Sequence, residues 1–224
     1  MTFSLSARCP ETGMFGLAIS SSSPAVAARC AHARAGVGAV ATQNITDPSL
    51  GPLGLDLMAR GASAGQARDI LVATRPHIAY RQLALIDRDG RTAVFSGART
   101  LGLHAAAEGK GAVAAGNLLA DTGVPQAMIA AFAGSTGPLG NRLLAGLRGA
   151  LAAGGEAGPV HSAGLLLVRD VAWPVADLRI DWDDTDPVGA LERLWAIYAP
   201  QLDAYVERAL DPSDAPSYGV PGDE

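Results

Sequence analysis

TFSLSARCPETGMFGLAIS, residues 2–20, decides the fold. Over residues 2–8 apolar and polar side chains alternate. Phe3, Leu5 and Ala7 share one face, and Thr2, Ser4, Ser6 and Arg8 share the other. A period of two is the mark of a half-buried strand. CPETG supplies turn chemistry, and MFGLAISS returns as a second strand, so residues 2–21 read as a hairpin. Chain ends usually fray. A strand that begins one residue after Met1 raises the question of what holds it there.

Outward from this hairpin, AGVGAVATQN (35–44) reads as a small-residue strand buried on both faces. GPLGLDLMARG reads as a helix ending at Gly61, and SAGQ offers Ser63 as the N-cap of the next, with Gln66 as its capping-box partner. YRQLALIDRDGRTAVFSG reads as two strands around an Asp-Gly turn, and GAVAAGNLLA as another small-residue strand. Pro125 and Pro138 suit the first turns of two helices. The second of these carries Leu139, Leu143, Leu147 and Leu151 at four-residue intervals and stops at Gly154–Gly155. SAGLLLVRD and VADLRIDWDD form a last strand pair. Asp186–Pro187 then opens a helix whose apolar face is Val188, Leu191, Trp195, Tyr198 and Leu202, with Pro200 restarting it. Strands that pair as hairpins, interrupted by helix pairs, predict an α+β fold with antiparallel sheets. No linker is visible before DPSDAPSYGVPGDE, so the expected organisation is one domain over 1–210 with a Pro- and acid-rich tail over 211–224.

Composition removes several function classes. The 17 basic and 22 acidic residues give a net charge of −5, and Lys110 is the sole lysine. With aromatics at 5%, the chain has neither the basic tract nor the stacking platforms that nucleic acid requires. No apolar run approaches the ~20 residues that cross a bilayer. MFGLAISSSSPAVAA lacks a basic segment ahead of it and is broken by serines and a proline, unlike a signal peptide. Cys9 and Cys30 read as buried free thiols. The expectation is a soluble cytoplasmic protein with no nucleic-acid or membrane partner.

Most catalytic signatures are absent. GVGAVA lacks the third glycine of a dinucleotide fingerprint, and His32, His77, His104 and His161 are scattered without ligand spacing. DWDDTD (181–186) reads as helix-capping carboxylates rather than a metal site, and there is no G-x-S-x-G elbow. Neither metal nor cofactor is expected. Thr2 remains. Cytosolic processing removes methionine ahead of a small residue, which would leave Thr2 with a hydroxyl nucleophile and a free α-amine. That amine has a pKa of roughly 7.7–8.0 and can act as the base for its own side chain.

Residues 2–58, RQLALIDRDGRTAVFSG, GNLLA, AAGGEAGPVHSAGLLLV and DLRIDWDDTDPVGALERLW resemble, in order, the blocks of the domain-of-unknown-function family 1028 (DUF1028), over about residues 2–200. The resemblance implies a fold like the N-terminal-nucleophile (Ntn) hydrolases: a four-layer αββα sandwich of two antiparallel sheets between helical layers. Relatives commonly begin their first strand with the same Thr-Phe-Ser, some directly after a secretory extension, which suits a mature N-terminal threonine. The chain departs from the pattern at GGEAGPVHSA, where many relatives carry an Asp-Arg-Arg-Gly-Arg-Gln-Ser-like run. His161 stands here in place of the glutamine, the arginines are missing, and no early lysine matches that of proteasome-type relatives.

With Thr2 as nucleophile of an amidohydrolase acting on a small amide or related C–N bond, Asn117 is the expected oxyanion donor and Asp181 the group orienting the α-amine. Ser4, Ser21, Ser22, Gln43, Asn44 and Arg81 are the expected substrate-binding residues. Arg8 and Arg179 are further anion clamps, although Arg179 beside Asp177 and Asp181 also reads as a structural ion pair. Gln43, Asn44 and Asn117 equally suit turn formation. The partner is then a small-molecule substrate, with the protein acting as a homo-oligomer, a dimer. The alternatives are the same fold without a terminal nucleophile, as in cyclohydrolases acting on heterocycles through Asn117, Arg81 and Asp181, or a non-catalytic metabolite-binding or assembly protein.

Overall fold

The computed structural model describes residues 2–221. The opening hairpin is present: β1 (Thr2–Arg8) and β2 (Phe15–Ser21) run antiparallel, from Phe3 opposite Ser20 to Arg8 opposite Phe15. The far side of β1 is also paired, to β8 (Ala112–Asn117), with Thr2 opposite Asn117. β1 is therefore an interior strand, and a fully laddered start does not fray. The six-stranded sheet has the order β10-β9-β2-β1-β8-β7, with β7 over Ala105–Gly109, β9 over Ser162–Val168 and β10 over Ala176–Ile180.

The second sheet has four antiparallel strands in chain order: β3 (Ala31–Arg34), β4 (Gly38–Asn44), β5 (Arg81–Asp87) and β6 (Thr92–Ser96). Three elements were not anticipated from sequence: α1 (Val26–Cys30), β3 and β7. The two strands are sheet edges with short, half-exposed sequences: AHAR is only four residues long with alanine as its sole apolar type, and AAAEG carries no apolar alternation. The helix is five residues long.

The helices α2 (Leu50–Ala59) and α3 (Ala64–Thr74) follow β4. The capping box forms: Ser63 Oγ accepts the Gln66 N–H at 3.2 Å and Gln66 Oε1 accepts the Ser63 N–H at 2.9 Å. After β8 come α4 (Val124–Gly134), with Pro125 in its first turn, and α5 (Leu139–Ala152). Pro138 is the N-cap of α5, one position ahead of its expected place. The chain ends in α6 (Pro187–Tyr198), a 3-10 turn at Ala199–Gln201 and α7 (Leu202–Leu210). Asp186 caps α6 by accepting the Gly189 N–H at 2.8 Å.

Three apolar clusters account for the packing. One joins Phe3, Leu5 and Ala7 of β1 to Met128 of α4, Leu143 and Leu147 of α5, and Leu191 and Trp195 of α6. A second joins Phe15, Leu17 and Ile19 of β2 and Val113 and Ala115 of β8 to Ala39, Ala41, Ala84 and Ile86 of the other sheet. The third joins Val40, Leu83 and Leu85 to Leu55 and Met58 of α2 and Leu71 of α3. Strand parity then assigns every face. The polar face of β1 points toward the four-stranded sheet, and Ser4 and Ser6 are fully buried there. This corrects the half-buried reading of β1, whose serines are covered by a second sheet rather than by water. Cys9 is likewise only half-buried, its thiol donating to Glu11. No helix among the described residues is long and apolar enough to cross a membrane.

Candidate functional site

The inter-sheet layer is apolar along most of its length and polar at one end. Parity carries each strand's inward face from apolar residues to a polar terminal one: Ile19 to Ser21 on β2, Ala115 to Asn117 on β8, and Ala41 to Gln43 on β4. On β5 the series runs backward, from Ala84 to Gln82. Thr2 begins β1 at this same end, opposite Asn117. Its hydroxyl lies 3.3 Å from that of Ser21, and the residue is 5% exposed.

Behind Thr2 the amides form one connected network across the sheets. Gln82 Nε2 donates to the Gly116 carbonyl and to Ser96 Oγ, both at 3.0 Å. Its Oε1 accepts from Gln43 Nε2 at 2.8 Å and from Asn117 Nδ2 at 3.1 Å, and Ser4 Oγ donates to Gln43 Oε1 at 2.8 Å. Because both Gln82 donors are committed, Gln82 must present its oxygen to Asn117. Asn117 must therefore present its nitrogen in return, which leaves Asn117 Oδ1 buried without a partner. A buried acceptor left open costs free energy and points to a missing donor. Asn117 thus offers a spare acceptor, and one remaining hydrogen on Nδ2. The residue after it, Leu118, holds a left-handed backbone at φ 51°, as does Asn44 after Gln43 at φ 75°. Non-glycine residues in that region gather at functional sites.

Among the described residues the acid that reaches this end is Glu156. Glu156 lies in the loop after α5, which pairs with the chain leaving Asn117: the Ala157 N–H donates to the Leu118 carbonyl and the Ala120 N–H to that of Gly155, each at 3.0 Å. Both carboxylate oxygens accept the Ser22 N–H, at 3.1 and 3.2 Å, directly beside Ser21. Burial pushes the Glu156 carboxyl up to about 7, against the hydrogen bonds from Ser22 that favour its charged form. A carboxyl titrating near neutrality is suited to proton transfer.

A family profile described as "Family of unknown function (DUF1028)" matches residues 2–191. The chain belongs to the DUF1028 family. It is similar to the crystal structure of a DUF1028 protein from Silicibacter pomeroyi, with a TM-score of 0.82 and 32% identity over 88% of this chain and 85% of that one. A weaker likeness, to Anbu (ancestral beta-subunit) from Yersinia bercovieri, has a TM-score of 0.41 and 11% identity over 91% of this chain and 97% of that one. No curated protein matches the chain.

In this DUF1028 chain, Thr2, Ser4, Ser21, Gln43 and Asn117 come together, with Ser22 adjoining through its backbone. Ser4 and Gln43 are fully buried and bonded to each other, behind the layer a ligand would touch. Asn44 ends β4 opposite Arg81, its side chain spent bridging the Tyr80 carbonyl and the Leu101 N–H. Arg81 spends its guanidinium on the Ile45 carbonyl. Asp181 is exposed at the end of the edge strand β10, three strands from β1, and only its backbone is engaged, by the Ala25 N–H. Arg179 pairs with Asp177 at 2.6 Å. Among the described residues no group of His, Cys, Asp and Glu could hold a metal ion.

Sequence reading missed Gln82, Ser96 and Glu156. Gln82 had a signal: it is the polar residue on the face that Ala84 and Ile86 otherwise make apolar. Glu156 had a fainter one, a single acid between glycine turns at the position where the family pattern breaks.

Proposed function

We propose that this chain is an Ntn-type amidohydrolase that cleaves a small amide or related C–N bond, with the Thr2 hydroxyl as nucleophile once Met1 is removed. The carrying observation is the placement of that hydroxyl at the polar end of the inter-sheet layer, on Ser21 and opposite Asn117. Apolar clusters between helices and sheet, between the sheets, and again between sheet and helices support reading the fold as the four-layer αββα sandwich of that class.

In this mechanism Thr2 Oγ1 attacks the substrate carbonyl carbon while its proton passes to the α-amine, directly or through water. The second Nδ2 hydrogen of Asn117 faces the developing oxyanion, and its open Oδ1 accepts from the α-amine. Collapse breaks the C–N bond, and the amine product leaves with the transferred proton. Water then hydrolyses the acyl ester on Oγ1. Asp181, expected to orient the α-amine, lies at the end of the edge strand, and Glu156 beside Ser22 is the acidic residue that balances the charge of the protonated amine. The substrate is a small molecule, neither metal nor cofactor takes part, and the working unit is a homodimer of a 1–210 domain with a C-terminal tail.

Protein expressed without an N-terminal tag tests the reading by intact mass and by turnover of an amide library. Active protein lacks Met1, Thr2→Ala lowers turnover by about a thousandfold or more, and Thr2→Ser retains part of it. Activity in protein that keeps Met1, or undiminished by Thr2→Ala, overturns it. The near-complete burial of Thr2 favours a second reading, a cyclohydrolase-like reaction without a terminal nucleophile, for which Thr2→Ala is silent.

A further inference from the structure

The far end of β1 carries a different feature. Arg8 lies six residues from Thr2, about 20 Å along the strand, and its N–H donates to the Gly111 carbonyl of the β7–β8 turn at 2.9 Å. Here Arg8, Lys110 and Arg142 of α5 line one cavity of about 450 Å³, floored by Ile129 and Phe132 of α4. Arg34, Arg68, Arg91, Arg148, Arg169 and Arg179 each pair with a carboxylate. Among the described residues Arg8, Lys110 and Arg142 have no ion-pair partner. Arg142 is stacked over the Phe132 ring at 4.2 Å, and its buried Nε lacks an acceptor. Two carboxylates also line the cavity. Asp89 is committed to Arg91 at 2.6 Å. Glu11 accepts the Cys9 thiol at 3.1 Å and keeps its charge within the field of Arg142 and Lys110. Three cations thus face one uncommitted carboxylate, and positive charge remains in surplus.

A half-enclosed cavity with converging unpaired cations and an apolar floor is chemically complementary to a compact anion with an organic body. The stacked guanidinium is held in place, so little side-chain entropy is lost when it binds. We propose that this cavity binds a small organic anion carrying two or more negative charges, a phosphate ester or a polycarboxylate. The proposal is independent of any chemistry at Thr2.

Calorimetric titration of the full chain with inorganic phosphate, pyrophosphate and citrate, at matched ionic strength, tests it. At least one probe binds, and the affinity falls as sodium chloride is raised. Arg142→Gln and Lys110→Gln each weaken binding about tenfold or more, as expected for loss of a charge-assisted contact. Binding of phosphate and pyrophosphate alone assigns a phosphate-ester headgroup, and binding of citrate alone a polycarboxylate. Lys110 sits in an exposed turn, so its substitution reports on binding even where Arg142→Gln disturbs packing. No binding by any probe, or binding that survives both substitutions, overturns the proposal.

Discussion

Glu156 shows how one side chain ties the candidate site to stability. Its carboxyl titrates at about 7 in the folded chain because burial penalises the charged form, against roughly 4.3 in an unfolded chain. Between those values the folded state keeps a proton that the unfolded state has released. Stability from this group is thus fully present below about pH 4 and is lost as pH rises through about 7. Glu156→Gln removes that loss. Its urea midpoint changes less than that of the parent between pH 5 and pH 8, and at pH 8 the variant is the more stable by up to about 3 kcal/mol. Asn117 was legible from sequence, because a polar residue ending a small-residue strand is visible in the string. Its open Oδ1 was not, since that atom is orphaned only by how Gln82 spends its own hydrogen bonds.

Among the elements, those with strong local chemistry were readable and those defined by neighbours were not. The Ser63–Gln66 box belongs to the first kind, and Ser63→Ala costs about 1 kcal/mol in chemical denaturation. Asp87 belongs to the second. It is buried at the end of β5 and accepts the Ala64 N–H opening α3, the N–H groups of Asp89 and Arg91 in the hairpin turn, and Arg91 Nε at 2.9 Å. Burial works to raise its pKa, but those donors outweigh it and hold the carboxyl below its usual value. Its stabilisation is present above about pH 4 and fades in acid. Asp87→Asn loosens helix and hairpin together, costing roughly 2–3 kcal/mol at pH 7 and less at pH 3. β3 and β7 escaped notice because they are edge strands of four and five residues. Their inward faces are two alanines each, Ala31 and Ala33 or Ala105 and Ala107, too short and too weakly apolar to stand out along the chain.

For the whole molecule, the segment after Leu210 is held by Arg208, which donates to the Pro216 and Ser217 carbonyls and stacks 3.7 Å over the Tyr218 ring. All of these contacts are exposed, and an exposed cation–π pair contributes about 0.5–1 kcal/mol. Truncation after Leu210 removes this cation–π pair together with the Arg208 hydrogen bonds and lowers unfolding stability by about 1–2 kcal/mol. Sedimentation of the truncated chain checks the dimer reading: an unchanged mass places the subunit contact on the 1–210 body, and a halved mass assigns it to the tail.

The sequence by itself determined the hairpin at residues 2–21, the antiparallel α+β class and the capped helices, and it put Thr2 forward as the proposed nucleophile. Each follows from periodicity, turn chemistry or a resemblance written along the chain. Only the tertiary structure decided that the polar face of β1 is buried between sheets, that Gln82 organises Gln43 and Asn117, and that Glu156 rather than Asp181 stands beside Ser21. Those facts depend on residues far apart in sequence meeting across two sheets, where burial and the limited number of hydrogen-bond donors set what each side chain has left to offer. At TFSLSAR the pattern marked two faces, and packing determined what each one meets.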